Sequence, residues 1–381
     1  MNAIAQDLYA DLDTPAAVVD RARLAANIAR MQDHMNALGV ALRPHVKTTK
    51  CLEVVQAQIA AGARGITVST LKEAEQFHAA GISDILYAVS MAPSKLPRAL
   101  ALKRAGCDLK IIVDNVAGAE AIVAACRESG LALPTWIEID TDGHRSGITP
   151  EQPELLDVAR VLDAAGLVDG VLTHAGSSYE LNTPDALAAL AEVERAGCVR
   201  AAARLREAGI ACPNVSVGST PTALAARALD GVTEVRAGVY AFFDLVMHNV
   251  GVCRQSDVAL SVLTTVIGHQ PDKGWIVVDA GWMAMSRDRG TSRQGHDFGY
   301  GMPCTLDGEP LAGWLMTQAN QEHGIIAPVD GAAPGDVTER FPVGMRLRLL
   351  PNHACATGAQ FPEYAAVDES TVEIWPRFYG W

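Results

Sequence analysis

Arg43-Pro44-His45-Val46-Lys47-Thr48-Thr49-Lys50 follows a short apolar run, Val40-Ala41-Leu42, and the reading of this stretch decides the fold. The run predicts a strand, and Lys47 stands just past its carboxyl end. In a strand–helix barrel, that end opens into the mouth where such folds carry their chemistry. A lone lysine at a strand end is ordinarily a surface residue. The barrel reading therefore rests on what the rest of the chain repeats.

It repeats the same unit. From residue 38 to about 240, apolar runs near 38–44, 65–69, 84–89, 109–113, 134–140, 168–174, 213–217 and 235–239 predict strands. Ala-rich stretches with Leu or Ile at helical spacing lie between them, among them Leu52–Ala61, Leu71–Ala80 and Pro184–Ala208. Thr183-Pro184 suits an N-cap and first helical residue. Gly62, Gly81, Gly106 and Gly130 fall where helices end. Eight such units predict an α/β fold, a (β/α)8 TIM barrel over residues 21–250. An open doubly wound sheet would carry a Gly-rich dinucleotide turn after its first strand, and the sequence has none there. After about residue 255 the texture changes. Val258–Ile267, Trp275–Asp279 and Met345–Leu350 predict strands, joined by loops such as Gln270–Gly274 and Pro328–Asp336. A β-rich domain is expected over 251–381, together with 1–20, whose run Ala16–Asp20 would pair with it.

Composition bounds the partners. The 381 residues are 49% apolar and 20% charged, with a net charge of −13. That balance argues against nucleic acid, which calls for a basic face. It leaves room for an anionic small molecule in a cleft lined by Arg and His. No apolar run reaches membrane-spanning length. Met1–Asp13 carries Asp7, Asp11 and Asp13 and no Lys or Arg, so a cytoplasmic location is expected. The eight cysteines are dispersed with no C-x-x-C pair, which suits reduced, buried thiols.

Reactive side chains recur at the expected strand ends. His45 and Lys47 follow the first, and Tyr87 ends the third. The fifth runs through Glu138 and Asp140 into Asp142-Gly143-His144-Arg145. The sixth ends in Thr173-His174-Ala175-Gly176-Ser177-Ser178-Tyr179. Gly218-Ser219-Thr220 and Arg236-Ala237-Gly238-Val239-Tyr240 follow the seventh and eighth, where barrels bind phosphate with backbone N–H groups and hydroxyls. A phosphate cradle there and the Lys47 amine on the adjoining first strand suit pyridoxal phosphate, which a lysine holds as a Schiff base.

Two further stretches carry chemistry. In Asn352-His353-Ala354-Cys355, an imidazole and a thiolate two positions apart can both reach one divalent metal, on one face if the segment is extended. A buried His beside a buried Cys is the alternative. Met285-Ser286-Arg287-Asp288-Arg289-Gly290-Thr291 is either a solvated loop or the carrier of a guanidinium for a substrate carboxylate.

Pro44-His45-Val46-Lys47-Thr48, Thr173–Tyr179, Gly218–Thr222 and His353-x-Cys355 together resemble the pyridoxal-phosphate enzymes with an alanine-racemase-like barrel (fold-type III). The resemblance spans Asp13-Thr14-Pro15 to Trp381. That family contains D-threonine aldolases and metal-dependent dehydratases of β-hydroxy D-amino acids. The resemblance implies that Lys47 is the Schiff-base lysine and that His353 and Cys355 hold a divalent metal (Mn, Zn, Co or Mg). It implies that Ser219 and the Gly238 and Val239 amides cradle the phosphate, with Thr220 and Tyr240 also expected to bind the cofactor. Arg236 would face the pyridine nitrogen, Arg145 would lie near the phenolic oxygen, and Tyr179 would be a further cofactor contact. It implies a homodimer. Aldolases of the family resemble His-x-Asp at the metal and dehydratases His-x-Cys, so Cys355 points to a dehydratase. The expected substrate is D-threo-3-hydroxyaspartate, giving oxaloacetate and ammonia, with aldol cleavage of D-threonine and dehydration of D-serine as alternatives. A non-catalytic cofactor-binding role would lack the β-rich domain. Arg287, Arg289 and His323 are the candidates for a substrate β-carboxylate.

Overall fold

A computed structural model describes residues 8–329 and 335–381. The expected loop 328–336 and the acidic stretch 1–13 therefore fall partly outside the described residues. Contacts divide the chain into two compact units, Ile28–Gly238 with Phe378–Trp381, and Met1–Asn27 with Val239–Arg377. The first strand, β1 (Ala16–Asp20), belongs to the second of these.

The first unit is built on eight parallel strands. They are β2 (Ala41–Leu42), β3 (Ile66–Val68), β4 (Asp84–Ser90), β5 (Asp108–Val113), β6 (Thr135–Ile139), β7 (Val168–Thr173), β8 (Asn214–Val217) and β9 (Glu234–Val235). Their order is β2-β9-β8-β7-β6-β5-β4-β3. The ring closes just past β2, where His45 bridges Thr67 of β3 in parallel and the Val46 N–H donates to the Thr67 carbonyl at 2.9 Å. All eight expected strands are present, in one parallel barrel sheet. Strands covered on both faces read as continuous apolar runs, and all five residues of β6 are buried. The helices follow from caps and stripes. Thr183 caps Pro184–Glu207 by accepting from the Ala186 N–H. The buried stripe of that helix is Leu187, Ala191, Glu194, Cys198, Ala201, Ala202 and Leu205, at the three- and four-residue spacing of one face. Gly130, at φ 68°, ends Val116–Ser129 in the left-handed conformation that favours glycine.

A buried polar chain crosses this unit. Arg43 donates to Glu234 at 2.8 Å and to Asp84 at 2.7 Å, and Glu234 accepts from Ser216 Oγ at 2.9 Å. Each charge here has its partner, which is the condition for tolerating buried charge. Ser216 in turn accepts from the Arg236 guanidinium.

The second unit is a nine-stranded sheet. Besides β1 it contains β10 (Leu260–Gln270), β11 (Trp275–Val278), β12 (Met302–Cys304), β13 (Trp314–Ala319), β14 (Gly324–Pro328), β15 (Arg346–Leu350), β16 (Glu363–Val367) and β17 (Val372–Pro376). The main order is β13-β14-β11-β10-β1-β16-β17, with β12 joined through β15 to β10. β1 runs antiparallel to β10 and parallel to β16. An irregularity between Val266 and Gly268 lets β10 pair with β1 and β15 along its first half and with β11 along its second.

Residues 239–250 were expected in the barrel but cluster with this sheet. The Leu245 and Val246 N–H groups donate to the Pro351 and Asn352 carbonyls, both at 3.1 Å. Residues 21–27 do likewise, with Asn27 donating to the Ala241 and Asp257 carbonyls. The tail crosses the other way. Phe378 donates from its N–H to the Lys50 carbonyl at 2.7 Å and packs edge-on against Phe77. No helix among the described residues is long and apolar enough to cross a membrane.

Candidate functional site

The barrel unit gathers most of the sequence candidates. The segment after β2 is pinned on both sides, since the Arg43 and His45 N–H groups donate to the Val235 and Ala237 carbonyls at 2.9 and 2.8 Å. That leaves Lys47 exposed at the strand end while Val46 and Thr48 are buried. Gly238 makes this close approach possible. A Cβ there would sit 2.7 Å from the His45 carbonyl oxygen and 3.3 Å from Thr48 Oγ1.

After β7 and β8, two turns are tied together. Ser219 Oγ lies 2.9 Å from both Ser178 Oγ and Thr222 Oγ1, and all three hydroxyls are buried. Ser219 caps Thr220–Ala225 and accepts from the Thr222 N–H. Behind the turns, buried Glu194 accepts from the Ala175 and Gly218 N–H groups, both at 3.0 Å. Thr220 is buried in the same turn, and Tyr179 is half-buried near His174, with ring centroids 6.3 Å apart.

The side-chain charges that act most on the two imidazoles of this unit are positive. Burial holds the His174 imidazole down to about 4, and Lys47, Arg145 and Arg236 push it the same way, while its bond to Gly218 opposes them. Being neutral, His174 donates its Nδ1 proton to the Gly218 carbonyl at 3.0 Å and keeps Nε2 free of a proton. Burial, followed by the charges of Lys47 and Arg236, lowers His45 well below the usual imidazole range, and its buried Nδ1 has no hydrogen-bond partner. Arg236 is buried and donates to Ser216 Oγ and the Thr173 carbonyl. Arg145 is largely exposed, 3.6 Å from Glu138, whose carboxyl burial pushes upward. Lys47, Arg145 and Arg236 thus converge on the same two imidazoles. An amine, two guanidiniums, a hydroxyl cluster and a glycine strand crossing fit a phosphorylated anionic aldehyde such as pyridoxal phosphate.

Val239 and Tyr240 follow Gly238 in sequence but belong to the second unit, buried in the 3-10 turn Val239–Ala241. That unit also carries His353 and Cys355. The segment is not extended throughout, as the two-residue spacing suggested. His353 is the N-cap, at φ −134°, and Cys355 lies inside the short helix Ala354–Gly358. The helical turn still brings them together, and the Cys355 sulfur hydrogen-bonds the imidazole. Buried Asp244 fixes the turn, accepting from the Met247 and Ala354 N–H groups at 2.9 Å each. Thr357 Oγ1 donates to the Met285 carbonyl at 2.8 Å. Asp288 Oδ2 lies 2.6 Å from His353 Nδ1. Burial works against protonation of that imidazole, but Asp288 and Cys355 outweigh it and push it up to about 11.

Of the eight cysteines, all free, seven are buried and Cys355 alone is partly exposed. Burial raises the Cys51, Cys107, Cys126, Cys198, Cys212 and Cys304 thiols, which marks them as inert. No group of three or more metal-ligating side chains occurs among the described residues. His353 and Cys355 therefore offer a two-residue donor set, soft enough for zinc and open to water or substrate at the remaining positions.

The arginines of the neighbouring loop are engaged elsewhere. Arg287 stacks on Trp282 at 4.5 Å, and Arg289 pairs with Asp297 at 2.6 Å. His323 is exposed between β13 and β14. Sequence reading missed Glu194, Asp244 and Asp288. Glu194 was detectable as a carboxylate inside the apolar stripe of a helix, and Asp244 as a cap before Leu245–Val250. Asp288 carried no signal beyond its place in a charged run.

Residues 19–246 match the model of the alanine racemase N-terminal domain, and residues 259–367 that of a putative serine dehydratase domain. The chain is 67% identical over 379 residues to the D-threo-3-hydroxyaspartate dehydratase of Delftia sp. (strain HT23), covering 99% of this chain and 100% of that one. A solved cysteine-to-alanine variant of D-threo-3-hydroxyaspartate dehydratase, in the metal-free form, superposes with a TM-score of 0.97 at 66% identity over 100% of both chains. The D-threonine aldolase of Arthrobacter sp. is 31% identical, over 97% of this chain and 93% of that enzyme. Barrel, second sheet and sequence agree, and the chain belongs to the alanine-racemase-like family with a serine dehydratase domain that includes D-threo-3-hydroxyaspartate dehydratase.

Proposed function

We propose that this enzyme is a lyase that removes the elements of water from a β-hydroxy D-amino acid, D-threo-3-hydroxyaspartate foremost, with pyridoxal phosphate and a divalent metal. The observation that carries the reading is the Cys355 thiol set against His353 in a chain 67% identical to a D-threo-3-hydroxyaspartate dehydratase. An aldolase reading would sit better on the His-x-Asp pair that the resemblance gives the aldolases, with a carboxylate in place of the Cys355 thiol.

Bound at Lys47, the cofactor would supply a sink for the electron pair left at Cα, and a metal on His353 and Cys355 would make the β-hydroxyl a better leaving group. The rest falls to the chain. Lys47 would hold the cofactor at rest and, with its amine free, would take the α-proton of the substrate. Arg236 only donates, so a ring nitrogen set against it stays unprotonated. Ser219 and the turn amides would hold the phosphate, with Thr220, Gly238, Val239 and Tyr240 in the same cradle. Arg145 and Tyr179 would contact the ring. Loss of the α-proton and of hydroxide leaves an enamine, whose hydrolysis gives oxaloacetate and ammonia. Arg287 and Arg289, although engaged, and exposed His323 remain the candidates for the β-carboxylate. The reading also expects a homodimer in the cytoplasm.

Product analysis tests it. Purified protein with D-threo-3-hydroxyaspartate and a divalent metal is expected to yield oxaloacetate and ammonia, and to stop on chelation. Glycine and glyoxylate instead would mean carbon–carbon cleavage, and the dehydratase reading would fall.

A further inference from the structure

The loop read for its arginines does its work through the residue between them. Arg287 and Arg289 turn to Trp282 and Asp297, while Asp288 faces the metal-ligand candidate His353. Its carboxylate is held at several points. Oδ2 lies 2.6 Å from His353 Nδ1, and the Gly290 N–H hydrogen-bonds the same carboxylate. A Cβ on Gly290 would lie 3.4 Å from Asp288 Oδ1, which shows how closely the backbone wraps it. The Asp288 N–H donates to Ser286 Oγ at 3.0 Å. Ser286 is buried and adopts φ 69°, a conformation a non-glycine residue keeps only where its surroundings hold it. The carboxylate is thus in place before any ligand arrives.

We infer that Asp288 is a positioning residue that fixes His353 to bind metal through Nε2. A carboxylate accepts and never donates when ionised, so the imidazole must keep its proton on Nδ1 toward Asp288. The nitrogen left with a free lone pair is Nε2. A carboxylate behind a ligating histidine sets the tautomer, the ring orientation and the donor strength, and losing one typically costs 10–100-fold in metal affinity. Asp244 secures the backbone of the same turn through Ala354, so imidazole and main chain are fixed by two different carboxylates. This inference rests on the metal-binding reading of His353 and Cys355.

The test is Co2+ binding to the full-length, chelator-stripped protein, followed by the thiolate-to-cobalt absorption band. Wild type is expected to develop the band and Cys355→Ala to lack it. Asp288→Ala is expected to need about 10–100-fold more Co2+. Asp288→Asn, whose amide oxygen still accepts from Nδ1, should recover part of that loss. Nitrogen-15 NMR of the zinc-loaded protein should show a protonated Nδ1 and a metal-bound Nε2 on His353. An Asp288→Ala affinity within twofold of wild type, or metal on Nδ1, overturns the role of Asp288 while leaving the metal site intact. A wild type with no band overturns the metal reading and this inference with it.

Discussion

Glu194 in the barrel and Asp244 in the β-rich unit are both buried carboxylates that accept from two backbone amides, yet they organise their surroundings differently. Glu194 projects from a 24-residue helix, and one oxygen, Oε1, takes the N–H groups of Ala175 and Gly218. Those amides begin the turns after two neighbouring strands, 19 residues before Glu194 and 24 after it. Asp244 uses both oxygens. One caps its own helix three residues on, and the other reaches Ala354, 110 residues away. The barrel ties together loops that its repeating topology already brings side by side. The β-rich unit relies on single long-range contacts to set one helical turn. Damage in the barrel site should therefore spread among several residues, and damage in the other should centre on His353 and Cys355.

The largest expected effect lies on the one barrel residue that its neighbours cannot replace. Lys47→Ala should lose the absorption band of the lysine-bound cofactor and all measurable turnover, because His45 and His174 are held neutral and hydrogen-bonded or buried rather than presented as amines. Spectra and initial rates of the variant check this. A coloured, active Lys47→Ala protein would remove Lys47 from the centre of the site.

The same contrast explains how much could be read in advance. The barrel was legible because its signal repeats eight times, and each repeat corrects the others. The run before Lys47 predicts a single strand and does not by itself decide the fold, and β2 is only two residues long. The β-rich sheet was half legible. β10, β11 and β15 carry apolar runs, whereas β12 is only three residues long, β16 depends on β1 far away in sequence, and β17 lies at the edge of the sheet. Of the candidate site, Lys47, His353 and Cys355 stood out through the chemistry their residue types can do at those places. Glu194, Asp244 and Asp288 did not, since Asp and Glu in loops and helices are ordinarily solvated. The spacing argument expected His353 and Cys355 to meet on an extended segment, whereas a cap followed by a helical turn brings them together instead.

A second pair of variants bears on the comparison directly. Glu194→Ala and Asp244→Ala each strand two buried amides, at about 1–3 kcal/mol per amide, so each should lower stability by several kcal/mol in urea unfolding. Their functional signatures should separate. Glu194→Ala is expected to weaken pyridoxal phosphate binding and leave Co2+ affinity of the cofactor-free protein near wild type. Asp244→Ala should do the reverse. Glu194→Gln keeps an acceptor at Oε1 and should restore most cofactor affinity. If both affinities fall together in both variants, the two carboxylates do not serve separate sites.

The smallest effect expected is a pH dependence of stability that originates in the barrel. His174 sits at about 4 in the folded chain against an ordinary value of 6.5, with burial as the first cause, and His45 is lowered in the same direction. Between those two values the unfolded chain binds protons that the folded chain refuses, so stability rises with pH across the window. The contribution is complete above about 6.5 and drains away as the pH falls toward 4. Urea midpoints measured through that range should fall more steeply for wild type than for His174→Gln, which has no proton to gain. Carboxylates elsewhere also titrate below pH 5, but they do so in both proteins, so the difference between the curves isolates the imidazole. His45 remains in the variant and keeps part of the slope, which makes the expected difference a fraction of the whole. Curves that run parallel from pH 7 to pH 4 would mean that His174 is protonated as readily in the folded barrel as in the open chain.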